Sequence, residues 1–152
     1  MKTRLACAWA LVLLATVAAP AAAAPTRSSP LGVAADGRVF VVNPDANTVS
    51  RLEFSLMHVG TLTHEQPVGT YPRTLALDAT HVFTADQKSD TVSRRDQADL
   101  GNLVQANLGP GCNPYGVAAT PAGDQVVVTC QGSSQLVILD PGLATIARVA
   151  LA

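Results

Sequence analysis

Charge of either sign is scarce in this sequence of 152 residues. Only 14% of the residues are charged, and 10 basic against 11 acidic side chains give a formal net charge of -1. Binding nucleic acid through bulk charge needs a concentrated basic surface, so we expect no nucleic-acid partner. The same balance excludes a disordered acidic or basic tail protein, and the length fits one modest domain.

Long apolar runs are also absent, apart from one near the N-terminus. Residues 5–19 form an apolar run that follows Lys2 and Arg4 and precedes Pro20 and a series of alanines. A positive start, an apolar middle and a small-residue end make up a secretory signal peptide, which we assign to residues 1–24. A membrane-spanning helix needs about 20 apolar residues, so this run is too short to be an anchor. The sequence therefore predicts export to the periplasm or the extracellular space.

Cysteine is rare, and one of the three cysteines, Cys7, lies in the predicted signal peptide. The other two, Cys112 and Cys130, would reach an oxidising compartment, which favours a disulfide over two separate buried thiols. A disulfide that closes a loop of 18 residues contributes about 3 kcal/mol in the chain-entropy account. A metal site would need further Cys or His ligands nearby, so no metal is predicted.

What the sequence does contain is an internal repeat. Pro30, Pro72 and Pro114 are each 42 residues apart, and similar short stretches follow each proline. A fixed period of this length indicates a repeat architecture before any local assignment is made. The repeat divides the chain after the signal peptide, residues 25–152, into three units. These units are about 30–71, 72–113 and 114–152.

Each unit contains four short stretches that are rich in valine and threonine and bounded by Gly, Pro, Asn or Asp. Such stretches are typical of strands joined by tight turns, and no apolar pattern after residue 25 keeps a helical period. Four strands per unit at this period are typical of a β-propeller blade. The sequence therefore predicts an all-β fold, a β-propeller repeat of three four-stranded antiparallel blades. In the first unit the predicted strands are 31–35, 39–42, 47–53 and 60–65.

Several of these stretches resemble a known repeat. Residues 40–43 (Phe-Val-Val-Asn), 47–50 (Asn-Thr-Val-Ser) and 72–77 (Pro-Arg-Thr-Leu-Ala-Leu) resemble the YVTN-type bacterial β-propeller repeat. That repeat carries a Tyr-Val-Thr-Asn-like strand, a Gly/Asn/Ser turn and then Thr-Val-Ser-Val-Ile-Asp. The chain departs from it at Cys130, which ends the equivalent strand of the third unit, and at the arginine pair 94–95, which replaces an apolar pair. The resemblance covers the three units and implies the propeller fold, which serves many functions.

Three blades do not close a propeller, which typically has about 4–8 blades. An open arc would expose two broad apolar faces to water, and such faces promote association. Either the chain is a truncated piece of a longer protein, or two or more copies complete the ring. The third unit has no polar capping face of the kind that terminal repeats need, which favours truncation.

No catalytic motif emerges from the sequence. A Gly-x-Ser-x-Gly elbow and a phosphate-binding glycine loop are both absent from it. His64 and Glu65 begin like the metalloprotease motif, but Val68 occupies the position of the second histidine. Pro67 would also break the helix that this motif requires. We therefore expect no catalytic residues and no cofactor.

One set of equivalent positions is a candidate for ligand recognition. Leu31, Arg73 and Tyr115 each follow the repeat proline directly, where the inner strand of a blade begins. This rim borders the axial channel of a propeller, and loops at such a rim often carry binding sites. A tailored binding rim and an unconstrained loop would both vary at this position. Arg73 and Tyr115 are the candidate ligand-binding residues.

Together these features indicate an exported, non-catalytic propeller module that binds a partner protein or a small ligand, or that serves as a scaffold. The alternative is a fragment of a periplasmic propeller enzyme, because YVTN-type propellers are similar to lactonases and to the large subunits of quinoprotein dehydrogenases. Catalytic residues in those folds come from several blades or from a partner subunit. A remnant without a function of its own is the third interpretation.

Overall fold

The computed structural model describes residues 29–120 and 122–151, so the predicted signal peptide lies outside the described residues. The described chain forms three four-stranded antiparallel sheets, which confirms the predicted all-β fold. No helix occurs in these two ranges, and hence none that could cross a membrane. Blade 1 contains β1 (Leu31–Val33), β2 (Val39–Asn43), β3 (Thr48–Phe54) and β4 (Gly60–Pro67); blade 2 contains β5 (Pro72–Leu77), β6 (His81–Asp86), β7 (Thr91–Asp96) and β8 (Val104–Asn107); blade 3 contains β9 (Pro114–Ala119), β10 (Val126–Cys130), β11 (Gln135–Leu139) and β12 (Thr145–Ala150).

The strands of each blade follow one another in chain order, and each pairs with the next. The repeat proline begins the first strand of blades 2 and 3, at Pro72 and Pro114, and Pro30 directly precedes β1. The first strands also pack against one another from blade to blade, β1 against β5 and β5 against β9. The first strand of each blade therefore lies on the inner side of the arc.

Two apolar cores lie between the three blades. Side chains alternate between the two faces of a strand, so the middle blade contributes to both cores. In β6, Val82 belongs to the core shared with blade 1, and Phe83 belongs to the core shared with blade 3. Burial of both faces explains the nearly continuous apolar runs in the sequence. The first core comprises Phe40, Val42, Val49, Leu75, Val82 and Leu100, and the second includes Phe83, Val92, Val117, Val128, Leu139 and Leu143.

The last residue of the second strand differs among the blades, but in each blade it fixes the strand end. Asn43 donates hydrogen bonds to the threonine and the serine that lie five and seven residues later, at 3.0 and 2.7 Å. Asp86 accepts hydrogen bonds from a threonine and a serine at the same spacing. Cys130 instead forms a disulfide with Cys112, with 4.5 Å between the Cα atoms. The disulfide is therefore present, and the alternative of two separate thiols is wrong.

The turn between the second and third strands forms the first polar contact between neighbouring blades. Asn47 and Asp90 adopt left-handed backbone conformations there, with φ of 58° and 53°, which Asn and Asp tolerate better than most residues. The Asn47 Oδ1 atom accepts a hydrogen bond of 2.7 Å from the backbone N–H of Tyr71. Asp90 Oδ1 accepts an equivalent bond of 2.7 Å from Asn113. Each turn thus binds the lead-in segment of the next blade, the few residues before its repeat proline.

An arginine on the third strand forms the second polar contact between blades. Arg51 donates a hydrogen bond of 3.3 Å to the carbonyl oxygen of Gln97 in blade 2. Arg94, at the equivalent position of blade 2, donates a bond of 2.7 Å to the carbonyl oxygen of Pro141 in blade 3. Both acceptors lie in the turn between the third and fourth strands. Arg94, one of the two departures from the apolar pair of the repeat, therefore links two blades.

The second arginine of that pair points the other way. Arg95 is only 7% exposed and donates hydrogen bonds of 2.8 and 2.6 Å to the carbonyl oxygen of Pro67 in blade 1. It also donates a bond of 2.6 Å to the carbonyl oxygen of Leu100 in its own blade. Burial lowers the pKa of the Arg95 guanidinium, and the carbonyl oxygens offset the cost of burying this charge. Blade 2 is thus fastened to both of its neighbours.

Candidate functional site

The two predicted rim residues lie side by side in the structure. Arg73 is the second residue of β5 and Tyr115 the second residue of β9. The guanidinium carbon of Arg73 lies 5.1 Å from the ring centroid of Tyr115, within the range of a cation–π contact. Leu31 holds the equivalent position in blade 1 and is 47% exposed. The packing of β5 against β9 brings together residues that are 42 positions apart in the sequence.

Two further residues extend this site. Tyr71 directly precedes the repeat proline, and the Arg73 guanidinium carbon lies 5.5 Å from its ring centroid. The Lys88 ammonium lies 4.1 Å from the same ring centroid. We call Tyr71, Arg73, Lys88 and Tyr115 the rim cluster. It contains two cations and two tyrosines on the edge where the first strands of blades 2 and 3 begin.

The backbone around the rim cluster holds these side chains in place. The backbone N–H groups of Gln87 and Lys88 donate hydrogen bonds of 3.1 and 3.0 Å to the carbonyl oxygens of Tyr71 and Thr70. The β6–β7 turn that carries Lys88 is therefore fixed to the lead-in segment that carries Tyr71. The buried Thr74 hydroxyl donates a bond of 2.6 Å to the carbonyl oxygen of Tyr115, which fixes blade 3 against blade 2.

The rim cluster is electrostatically unbalanced. Within residues 29–120 and 122–151, the salt bridges involve Arg38, Arg51 and His81, and none pairs Arg73 or Lys88 with a carboxylate. The contact with the Tyr115 side chain raises the pKa of the Arg73 guanidinium, which stays charged at every physiological pH. Two cations that lack an acidic partner attract an anion from solution.

A cavity of about 330 Å³ adjoins the rim cluster at Tyr115. Its lining residue Thr129 lies on the face of blade 3 that points away from blade 2, because Val128 and Cys130 on either side belong to the core shared with blade 2. A cavity of this size lies at the lower end of the range of small-ligand sites, about 300–1,000 Å³. It is lined by Tyr115, Thr129, Cys130, Gln131, Ser134 and Leu151.

The opposite end of blade 2 carries a histidine between two aspartates. His81 Nδ1 lies 3.0 Å from Asp78 Oδ2, and His81 Nε2 lies 3.9 Å from Asp96 Oδ1. Burial alone would raise the pKa of Asp78, but hydrogen bonds from His81 and Thr80 leave it below its usual value. Asp78 Oδ1 also accepts bonds from the backbone N–H groups of both residues, so these contacts shape the β5–β6 turn. In the described part of the chain, no group of three or more His, Cys, Asp or Glu side chains is arranged to hold a metal.

The sequence singled out Arg73 and Tyr115 as candidates, and it did not single out Tyr71 or Lys88. Tyr71 could have been found, because it stands next to the repeat proline in a position as variable as that of Arg73. Lys88 carries no such signal. Its contact with Tyr71 arises because the β6–β7 turn folds over the lead-in segment of its own blade.

No family model and no curated protein matches the sequence. Several solved structures match the fold. A catalytically inactive virginiamycin B lyase from Staphylococcus aureus, solved with quinupristin, is 18% identical with a TM-score of 0.66, over 83% of this chain and 42% of that one. Hydrazine synthase from Kuenenia stuttgartiensis is 18% identical with a TM-score of 0.71, over 94% of this chain and 40% of that one. A protein from Lactobacillus plantarum is 20% identical with a TM-score of 0.62, over 81% of this chain and 42% of that one.

These likenesses establish the fold and not a function, because the sequence identities are low. The chain spans about two fifths of the length of the solved structures that it matches. The YVTN-type resemblance remains a prediction from the sequence. The chain has a β-propeller repeat fold with three consecutive blades.

Proposed function

We propose that the chain is part of an exported, non-catalytic β-propeller module that binds an anionic ligand at the rim cluster. The observation that carries this proposal is the pair of cations, Arg73 and Lys88, held against the ring of Tyr71 without a carboxylate partner among the described residues.

The chemistry of the cluster selects a carboxylate or phosphate group. A guanidinium presents a planar fork of donors that matches both groups, and an ammonium adds a point charge beside it. The tyrosine rings position both cations and offer an aromatic surface to the rest of the ligand.

Export and incorporation into a larger ring are parts of the same proposal. The disulfide between Cys112 and Cys130 is of a kind that persists in oxidising compartments, which supports a periplasmic or extracellular location. This chain covers about two fifths of the length of the matched structures. That share supports a propeller completed by further blades, from a longer chain or from another copy.

The second candidate is a fragment of a propeller enzyme, either lactonase-like or similar to the large subunit of a quinoprotein dehydrogenase. It is favoured by the fact that virginiamycin B lyase and hydrazine synthase share this fold. Assays for lactone opening and for dye-linked amine oxidation distinguish the two candidates, since the binding module turns over neither substrate.

The binding proposal is tested by titration calorimetry at low ionic strength with citrate and with inorganic phosphate. We expect the wild-type chain to bind at least one of these anions and Arg73→Gln to bind it at least tenfold more weakly. Arg148→Gln is the matched control, because Arg148 is an exposed arginine outside the rim cluster. Equal affinities for the wild type and Arg73→Gln, or no binding of either anion, would contradict the proposal.

A further inference from the structure

The two ends of the arc each expose one face of a blade. In blade 1 the strand register places Leu31 opposite Val41 and Val33 opposite Val39, and paired residues share a face of the sheet. We call this side, which faces away from blade 2, the front face of blade 1. Leu31 and Val33 are 47% and 60% exposed on it. The apolar residues of the front face include Leu31, Val33, Val39, Val41, Leu52 and Leu62.

Blade 3 exposes the opposite face at the other end. In β10 and β11, Val127 pairs with Ile138 and Thr129 pairs with Leu136, on the side that faces away from blade 2. We call this side the back face of blade 3. The register gives it no charged side chain. Its members are Ala118, Val127, Thr129, Leu136, Ile138, Ala147 and Val149.

The two junctions inside the chain show how such faces meet. At each of them the back face of one blade packs on the front face of the next blade. An arginine on the third strand of one blade then donates a hydrogen bond to a carbonyl oxygen in the turn between the third and fourth strands of the next blade. Arg51 binds Gln97 in this way, and Arg94 binds Pro141. These internal junctions are the template for any further junction of the same kind.

At the free ends an apolar side chain replaces the arginine, and two exposed apolar side chains stand at the turn position that supplies the carbonyl inside the chain. In the repeat, Ile138 on the back face takes the position of the two arginines. The β3–β4 turn of blade 1 has the hydrogen-bond pattern of the equivalent turn in blade 3, which places Leu56 at the position of Pro141. Leu56 and the adjacent Met57 are 102% and 87% exposed. The free back face therefore offers an apolar side chain where the free front face offers an exposed apolar turn.

The cavity beside Tyr115 lies where the other contact of the internal junctions would form, between the turn after the second strand and the next blade. Inside the chain, Asn47 and Asp90 each bind the backbone of the next lead-in segment. Ser134 holds the same position in blade 3, with φ of 50°, and it lines the cavity of about 330 Å³. The place that a following blade fills at both internal junctions is thus an open cavity at the back face of blade 3.

We propose that the back face of blade 3 docks on the front face of blade 1 of a second copy of this chain. Ile138 then contacts Leu56 and Met57 of the second copy, and blade 1 of that copy covers the cavity beside Ser134. Two such head-to-tail contacts close a ring of six blades, within the range of about 4–8 that propellers adopt. This proposal is independent of ligand binding at the rim cluster.

The first test is the molar mass of the oxidised mature chain, measured by size exclusion with light scattering. We expect a dimer for the wild type and a folded monomer for Ile138→Asp, with folding checked by circular dichroism. Leu103→Asp is the matched control, because Leu103 is 41% exposed in blade 2, to which neither of the two docking faces belongs. The control is expected to remain a dimer.

The second test identifies the surfaces that meet. Chains carrying Ile138→Cys and chains carrying Leu56→Cys are mixed and treated with a short bis-maleimide. We expect cross-linked pairs that contain one chain of each kind, and far fewer when Asp99→Cys, at an exposed site in another turn, replaces Leu56→Cys.

Four results would overturn the proposal. They are a folded wild-type monomer, an unfolded wild-type chain, a dimer that Ile138→Asp leaves intact, and cross-linking that is equal for Leu56→Cys and Asp99→Cys. Loss of dimerisation in both aspartate variants would count against the assigned faces as well.

Discussion

Asp86 makes the stability of this protein depend on pH in a direction opposite to that of most carboxylates. Its side chain is fully buried at the end of β6, and that burial raises its pKa from 3.8 to about 6. Hydrogen bonds from the hydroxyls of Ser93, Thr84 and Thr91 lower the pKa and partly offset the effect of burial. The folded chain therefore keeps a proton on Asp86 at a pH where the unfolded chain has lost it.

The sign of the effect follows from the two pKa values. Below about pH 4 the carboxyl is protonated in both states, and its contribution to stability is complete. Between about pH 4 and pH 6 the folded state holds more protons than the unfolded state, so stability falls as the pH rises. The separation of the two pKa values corresponds to a decrease of about 3 kcal/mol in the free energy of unfolding by pH 7.

Asp86→Asn removes this dependence with a residue that the fold already uses. Asn43 occupies the equivalent position in blade 1, with a threonine and a serine at the same spacing. We expect the variant to lose the fall in stability between pH 4.5 and pH 7, and to exceed the wild type at pH 7 by up to about 3 kcal/mol. Asp45→Asn, at an exposed position in a blade 1 turn, is the control for a lost surface charge.

Denaturant unfolding followed by circular dichroism, with the disulfide intact, measures this at pH 4.5, 5.5 and 7. The informative quantity is the difference between wild type and variant at each pH, because other titrating groups cancel in it. A difference that does not change with pH would refute the reasoning, as would a variant that is less stable than the wild type at pH 7.

Three further substitutions test contacts between segments, each by denaturant unfolding at pH 7. Replacing both Cys112 and Cys130 by serine removes the disulfide and is expected to cost about 3 kcal/mol, and an unchanged midpoint would contradict this. Gly69→Ala places a Cβ atom 2.5 Å from Asp86 Oδ2, so we expect it to lower the free energy of unfolding by at least about 1 kcal/mol. An unchanged free energy of unfolding would contradict this and would mean that the segment shifts freely. Arg95→Met leaves two carbonyl groups without their donor and is expected to cost about 2 kcal/mol or more; a stabilised variant would show that burying the charge outweighs its bonds.

Much of the fold could be predicted because the repeat constrains it three times. The prolines at 30, 72 and 114 fixed the phase of the blades, and the strand predicted at 39–42 is β2, Val39–Asn43. Strand ends were harder to predict. The stretch predicted at 31–35 is paired only over Leu31–Val33, because the next residues form the turn closed by Ala34 and Arg38.

The departures from the repeat could not be interpreted from the sequence. The arginine pair 94–95 breaks an apolar pattern, and its purpose becomes clear only when carbonyl groups of both neighbouring blades surround it. Asn43, Asp86 and Cys130 likewise hold equivalent positions, and each fixes the end of the second strand. Asn43 donates hydrogen bonds, Asp86 accepts them, and Cys130 forms a disulfide. Sequence periodicity identifies equivalent positions, but it does not show which neighbouring segment each position faces.

The rim cluster was predicted in part for the same reason. Arg73 and Tyr115 were singled out as equivalent, variable positions, and their contact follows from packing β5 against β9. Lys88 lies in the β6–β7 turn, where Asp45 and Gly132 hold the equivalent positions, and periodicity does not show that this turn contacts Tyr71.

The most direct test of the account is a citrate titration of the ¹⁵N-labelled chain without residues 1–24, followed by backbone amide chemical shifts. If the rim cluster binds an anion, the largest shifts occur at Tyr71, Arg73, Lys88 and Tyr115 and their immediate neighbours, and they disappear in Arg73→Gln. Shifts that are largest elsewhere, or that persist unchanged in Arg73→Gln, would contradict the proposed binding site.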